Sequence, residues 1–136
     1  SPNGVSFREN KCTGYFNQFQ HFVPQLAEQC PKPEDELLQH PQTLAGNTAC
    51  DDFVRTLPQC RLVVTQIPGN VGGTCQDFIL NTLSYNGCVQ EHQNDPDFYR
   101  NSWRVYLNRD QELWANNHDA IRLLDENGKL VGQISY

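Results

Sequence analysis

The side chains best placed to do chemistry in this sequence of 136 residues are a cluster of acids around one histidine and a second histidine beside an aspartate. Glu91, His92, Asp95 and Asp97 could offer oxygen and imidazole ligands to Ca²⁺ or a transition metal. The glycine-containing loop of an EF-hand is missing, so the pattern reads instead as a solvated helix end followed by an Asx-Pro turn. No metal and no cofactor is expected there. His118-Asp119 has the composition of a catalytic dyad without its geometry. Adjacent residues on an extended segment point in opposite directions, whereas a general base and the group that orients it must share a hydrogen bond. No Gly-x-Ser-x-Gly elbow and no phosphate-cradling loop occurs, and Ser84 and Ser102 have no identifiable partners. The expectation is a chain without catalytic activity. The alternative is a small secreted hydrolase with His92 or His118 as general base.

The remaining reactive side chains are six cysteines, Cys12, Cys30, Cys50, Cys60, Cys75 and Cys88, all in the first two thirds of the chain. Zinc sites draw their ligands from close pairs such as Cys-x-x-Cys, and none is present. An even number without such pairs predicts three disulfides formed in an oxidising compartment. Sequence alone does not choose among the possible connectivities.

Charge and hydropathy narrow the partners. A formal net charge of −6 and no basic cluster argue against nucleic acid, since duplex binding depends on Lys and Arg neutralising phosphates. Anionic membranes are disfavoured for the same reason, and no apolar run approaches the ~20 residues of a membrane-spanning helix. With no signal peptide at Ser1-Pro2, the chain reads as a mature or trimmed exported domain, extracellular or on a cell surface. It carries no Asn-x-Ser/Thr sequon, which fits a bacterial exported protein.

The elements that must position these groups fall into a helical segment and a strand segment. Tyr15, Phe19, Phe22, Val23 and Leu26 recur at helical spacing and predict a helix broken at Pro24 that ends near Cys30. Glu34–Leu38 predicts a helical turn within a proline-punctuated connection, and His40 reads as a solvated loop residue. Thr48 is the predicted cap of an amphipathic helix with Cys50, Phe53, Val54 and Leu57 on one face. Arg61–Ile67 is short and β-branched, either a strand or an extended crossing. Thr74 is the predicted cap of a second helix bearing Cys75, Phe78, Ile79, Thr82 and Leu83, with an interruption at Asn86-Gly87 before Cys88. The two capped helices share a local pattern that independent packing explains better than an internal repeat. Each places its cysteine on the apolar side, where a disulfide can pin it to a neighbour.

Beyond the turn residues Asn94-Asp95-Pro96-Asp97 the period changes from helical to alternating. Trp103, Val105 and Leu107 lie on one face of a predicted strand, with Arg104 and Tyr106 on the other. Ile121–Leu124 and Lys129–Tyr136 predict an antiparallel hairpin joined through Asp125-Glu126-Asn127-Gly128, because Asn-Gly supplies residues that tolerate positive φ.

The run Glu112-Leu113-Trp114, His118-Asp119-Ala120-Ile121, Leu123-Leu124-Asp125, Gly128-Lys129-Leu130-Val131 and Ile134-Ser135-Tyr136 resembles the closing strands of lamin tail domains. The resemblance covers about a quarter of the chain. It implies an immunoglobulin-like β-sandwich used as an accessory module, with Asp119 as a structural residue ahead of the hairpin. Val5–Asn10 is the only run that could stand for one of that family's opening strands.

These readings combine into a single α+β domain over residues 1–136: a disulfide-tied helical segment at 11–95, inserted into or packed on a small antiparallel β-sandwich, lamin-tail-like and incomplete, whose strands lie at 101–136. The expected function is non-catalytic, protein binding or surface assembly, with a protein partner or self-association and no nucleic acid or membrane insertion. Partners of such a chain would meet apolar or aromatic surface, for which Tyr15, Phe16, Phe19, Tyr99, Trp114 and Tyr136 are the candidates.

Overall fold

The computed structural model describes residues 4–115 and 117–136. The chain divides into two compact units, Phe7–Arg104 and a second made of Val105–Tyr136 with the described residues before Phe7. The sequence reading has one domain, with its strand segment starting at residue 101. The contacts put the boundary after Arg104.

Strands β1, Phe7–Asn10, and β2, Tyr99–Arg104, open and close the first unit and pair antiparallel, with Phe7 opposite Arg104 and Arg8 opposite Trp103. All helices lie between them in sequence, so the helical segment is an insertion into a two-stranded ribbon. β2 ends where its partner begins, and Val105–Leu107, expected to continue the strand, lie outside it.

The predicted helix from Tyr15 to Cys30 is replaced by one short 3₁₀ segment, Thr13–Gln18, after which the chain runs to Lys32 without a regular element. The side-chain amide of Asn17 donates to the Leu26 carbonyl at 2.8 Å and accepts from the Leu26 N–H at 3.1 Å, supplying the bonds a helix would have made. Gln18 does the same for Arg61–Ile67. Its amide accepts from the Leu62 N–H at 2.8 Å and donates to the Leu62 carbonyl at 2.9 Å, and that segment is an extended crossing rather than a strand.

Helices α1, Pro33–Leu38, and α2, Pro41–Leu44, each start on proline, whose missing N–H is one of the helix start's unpaired donors anyway. His40, expected in a solvated loop, sits between them with its ring edge-on to Phe78 at 5.2 Å. Helix α3, Thr48–Val54, is capped by Asn47 and not by Thr48: the Asn47 side chain accepts from the Cys50 N–H at 3.0 Å and donates to the Val71 carbonyl at 2.7 Å. Helix α4, Gly73–Asp77, has Gly72 at its N-cap with φ +82° and no side-chain cap, so Thr74 has no capping role. It continues into a π-helical turn, Phe78–Thr82. Helix α5, Tyr85–His92, passes through Asn86-Gly87 uninterrupted, because Ser84 caps it by accepting from the Gly87 N–H at 3.0 Å. Gly87 is required there. A methyl group at its α-carbon would overlap the carbonyl oxygens of Asn81 and Thr82.

Two apolar clusters fill this unit. Leu37, Val54, Val71, Phe78, Ile79 and Leu83 surround the Cys50–Cys75 disulfide, which joins α3 directly to α4. Tyr15 and Phe98 pack with the other two bridges, Cys12–Cys88 and Cys30–Cys60. No cysteine is free, and the three bridges are compatible with an oxidising, extracellular environment. Closing loops of 76, 30 and 25 residues, each restricts the unfolded chain by an amount worth roughly 3.5–4.5 kcal/mol.

The second unit is built on β3, Ala120–Leu124, and β4, Leu130–Ser135, paired antiparallel with Ile121 opposite Ile134 and Leu123 opposite Gly132. The turn matches the sequence except that only Gly128 takes positive φ, at +78°. The Gly128 N–H donates to the Asp125 carbonyl at 3.0 Å, and the Asp125 carboxylate accepts from the N–H groups of Asn127 and Lys129. Among the described residues the strands form two separate two-stranded sheets, β1–β2 and β3–β4, in place of a closed sandwich. None of the described residues from Val105 onward is buried.

Alkylation without reduction should therefore modify no cysteine, and peptide mapping should return Cys12–Cys88, Cys30–Cys60 and Cys50–Cys75; two or more labelled thiols would refute this pairing. At the hairpin, Gly128→Val forces a β-branched residue to positive φ and should cost roughly 1–3 kcal/mol. Amide exchange across the Ile121–Ile134 pair should accelerate to match, and unchanged exchange would place the turn elsewhere.

Candidate functional site

Helix α5 delivers His92 at its last turn, where the imidazole meets two carboxylates from different parts of the chain. Its Nδ1 lies 2.8 Å from Asp95 Oδ2 and its Nε2 2.7 Å from Glu36 Oε1. Asp95 also accepts from Lys11 Nζ at 2.8 Å, and Lys11 donates to Asp97 at 2.7 Å. Helix α1, the residue after β1, α5 and the 95–98 turn are thereby joined by one alternating chain of charge. Glu36 is the most enclosed member, with 8% of its side chain exposed against 19% for His92.

The electrostatics follow from this geometry. Burial by itself lowers the His92 pKa, but the hydrogen bonds to Asp95 and Glu36 outweigh it and hold the pKa above its ordinary value. The Lys11 ammonium and then His92 hold the Asp95 carboxyl below the usual range. Lys11 is raised, against the cost of its own burial, by its bonds to Asp95 and Asp97.

Both ring nitrogens of His92 lie within 2.8 Å of a carboxylate, so in this arrangement neither is left free to face a substrate. The cavity beside it, about 620 Å³, is lined by Lys11, Gln29, Pro31, Asp35, Glu36, Gln39, Glu91, His92 and Asp95, none of which carries a hydroxyl or thiol nucleophile. Among the described residues no group of three or more His, Cys, Asp or Glu side chains could hold a metal ion. His118 has φ +58°. The neighbouring Asp119 carboxylate accepts from the N–H groups of Ala115 at 2.9 Å and Ala120 at 2.7 Å, which lowers its pKa and ties it to the backbone ahead of β3.

The six candidate aromatics separate. Tyr15 is core, its hydroxyl pKa pushed up to about 12 by burial and by the charge of Glu36, and it offers no surface. Phe16 is half-buried against Tyr85 and Phe7. Phe19 is exposed, as is Tyr99, which carries the Arg8 guanidinium 5.0 Å above its ring. Trp114 and Tyr136 converge, lining one depression of about 500 Å³ with Val105, Tyr106, Leu107 and Leu113 and a polar rim that includes Asn108, Arg109, Gln111 and Glu112. Its wall is pinned by hydrogen bonds to the backbone. Asp119 and Tyr136 exchange N–H···O bonds at 3.2 Å, the Tyr136 hydroxyl donates to the Ala115 carbonyl at 2.9 Å, and the Ser6 hydroxyl accepts from the Tyr106 N–H at 2.9 Å. An aromatic depression of this size, rimmed by both signs of charge, can receive an apolar group of a partner.

Glu36, Lys11 and Tyr106 carry these two sites and were not singled out from sequence. Glu36 lies 56 positions from His92 and Lys11 84 from Asp95, beyond any local periodicity. Among the described residues no helix is long and apolar enough to cross a membrane. No protein-family model matches the chain, and no curated protein and no solved structure matches it significantly.

Because the folded His92 pKa is raised, its contribution to stability is complete below about pH 6.5 and is lost as pH rises through the raised value, where Glu36 is left enclosed beside a neutral ring. Asp95 works in the opposite sense, contributing above about pH 4 and losing its effect in acid. The urea midpoint should fall as pH rises through the raised His92 value and fall less in His92→Gln; identical slopes would show that the imidazolium does not brace the fold.

Proposed function

We propose that this chain is a non-catalytic, exported module for protein binding or surface assembly, and that its C-terminal unit makes the contacts. One observation carries the reading: a two-stranded hairpin with no buried side chain exposes Leu123, Leu124, Leu130, Val131 and Ile134. A lone hairpin is marginal in water, and exposed apolar surface of this extent on a soluble chain marks a contact surface. The Trp114–Tyr136 depression adds a place where an anchoring side chain can be desolvated, and aromatic pockets of this kind carry much of the energy of protein interfaces. The disulfides favour export. The likeness of residues 112–136 to the closing strands of lamin tail domains supports an accessory role, and fold-level likeness says nothing of which partner is met.

The test compares three proteins for capture of a partner from the extracellular fraction of the source and for hydrolysis of ester, peptide and glycoside substrates. Val131→Lys with Ile134→Lys should weaken capture by about tenfold or more, as expected for charges placed in an apolar contact. His92→Gln with His118→Asn should capture as the parent does. Hydrolysis abolished by the histidine pair would overturn the reading in favour of a secreted enzyme.

A further inference from the structure

The hairpin's two edges differ. β3 carries a charged residue, Arg122, at its middle, a common guard against unwanted strand pairing, whereas β4 has no charge and no proline from Leu130 to Ser135. Each strand has only the other as neighbour among the described residues, so the outer edge of β4 has no strand partner among them. Its hydrogen-bonding groups can be assigned. Asp119 and Tyr136 exchange both backbone bonds and thus form a hydrogen-bonded pair. Such pairs alternate along an antiparallel ladder, so Ile134 and Gly132 also turn their N–H and C=O groups toward β3 while Gln133 and Ser135 turn theirs to the free edge. The register irregularity lies at Val131, leaving the edge regular from Gly132 onward.

We infer, on the basis of the binding reading above, that this edge pairs with the β4 edge of a second copy of the chain about a two-fold axis at Ile134. In that register Gln133 of each copy exchanges backbone hydrogen bonds with Ser135 of the other, and Ile134 faces its own copy. Tyr136 of each copy falls opposite Gly132 of the other. Gly132 has open space where a side chain would stand, and an aromatic ring across from a glycine is a stabilising cross-strand arrangement. The same operation on β3 would crowd Arg122 toward its copy, which selects β4. The product is one antiparallel sheet in the order β3-β4-β4-β3 with Ile121, Leu123 and Ile134 of both copies on one face. Few side chains per copy are covered, well short of the ~800 Å² per partner of a stable interface, so the pair is a weak one that forms with rising concentration.

Sedimentation velocity of the full chain tests this, with no ligand needed. The weight-average sedimentation coefficient should rise with concentration. It should stay flat for Ser135→Pro, which deletes an outward N–H and leaves the bonds to β3 intact. Ile134 faces its copy at a non-hydrogen-bonded position, where α-carbons lie about 4.5 Å apart and within disulfide reach. Ile134→Cys should therefore yield a 134–134 linked dimer under mild oxidation, and Arg122→Cys should not. The native disulfide map of each variant verifies folding. A wild-type chain that stays monomeric overturns the inference, as does cross-linking through position 122 in preference to 134. Either result with partner capture intact leaves the binding reading standing, whereas histidine-dependent hydrolysis removes that reading whatever the sedimentation shows.

Discussion

The Cys12–Cys88 bridge is the constraint on which the first unit depends. Cys12 follows β1 by two positions and Cys88 lies inside α5, so one covalent link closes a loop of 76 residues and fixes the ribbon against the last helix. The helices it encloses are short, from 4 to 8 residues, and none would be stable by itself in water. Their order comes from burial around sulfur: Cys50–Cys75 runs through one apolar cluster, and Cys12–Cys88 with Cys30–Cys60 through the other. Cross-links that confine the unfolded chain let such fragments of helix persist where hydrophobic area alone would leave the balance near zero.

Around that covalent frame, polar side chains do what regular secondary structure does elsewhere. Asn17, Gln18 and Asn47 each bond backbone groups of a distant segment, and Gln59 donates to the Cys30 carbonyl beside its bridge. The Glu36–His92–Asp95–Lys11 chain belongs to the same scheme. Its charges are half-enclosed and alternate in sign, so each stabilises its neighbour and removing one would strand another away from water. The histidine that sequence offers as a base is thus committed to holding α1 against α5.

The C-terminal unit is made differently. It has no disulfide and, among the described residues from Val105 onward, no buried side chain, and its order rests on backbone pairing and on Asp119 and Asp125, whose carboxylates bind neighbouring N–H groups. Apolar residues that a closed sandwich would bury stay exposed on β3 and β4. It is this exposed apolar area that the binding function proposed above would use.

Local rules made much of this legible. The even cysteine number and the absence of close pairs determined that all six would be bridged, since a thiolate metal site needs neighbouring ligands. The Asn127-Gly128 turn between the short runs Ile121–Leu124 and Leu130–Ile134 determined the hairpin, because a turn that needs positive φ is specified by a few consecutive residues. The i, i+3, i+4 spacing of Cys50, Phe53 and Val54 likewise determined α3. Tertiary structure decided the rest. It overrode the helical spacing from Tyr15 to Leu26, since Asn17 offers the Leu26 backbone better-placed partners than a helix broken by Pro24. It chose which cysteines meet, brought Glu36 to His92, and set Trp114 beside Tyr136. Each of these joins residues far apart in the chain, and which distant groups end as neighbours is fixed by how the whole chain packs and is written in no local pattern.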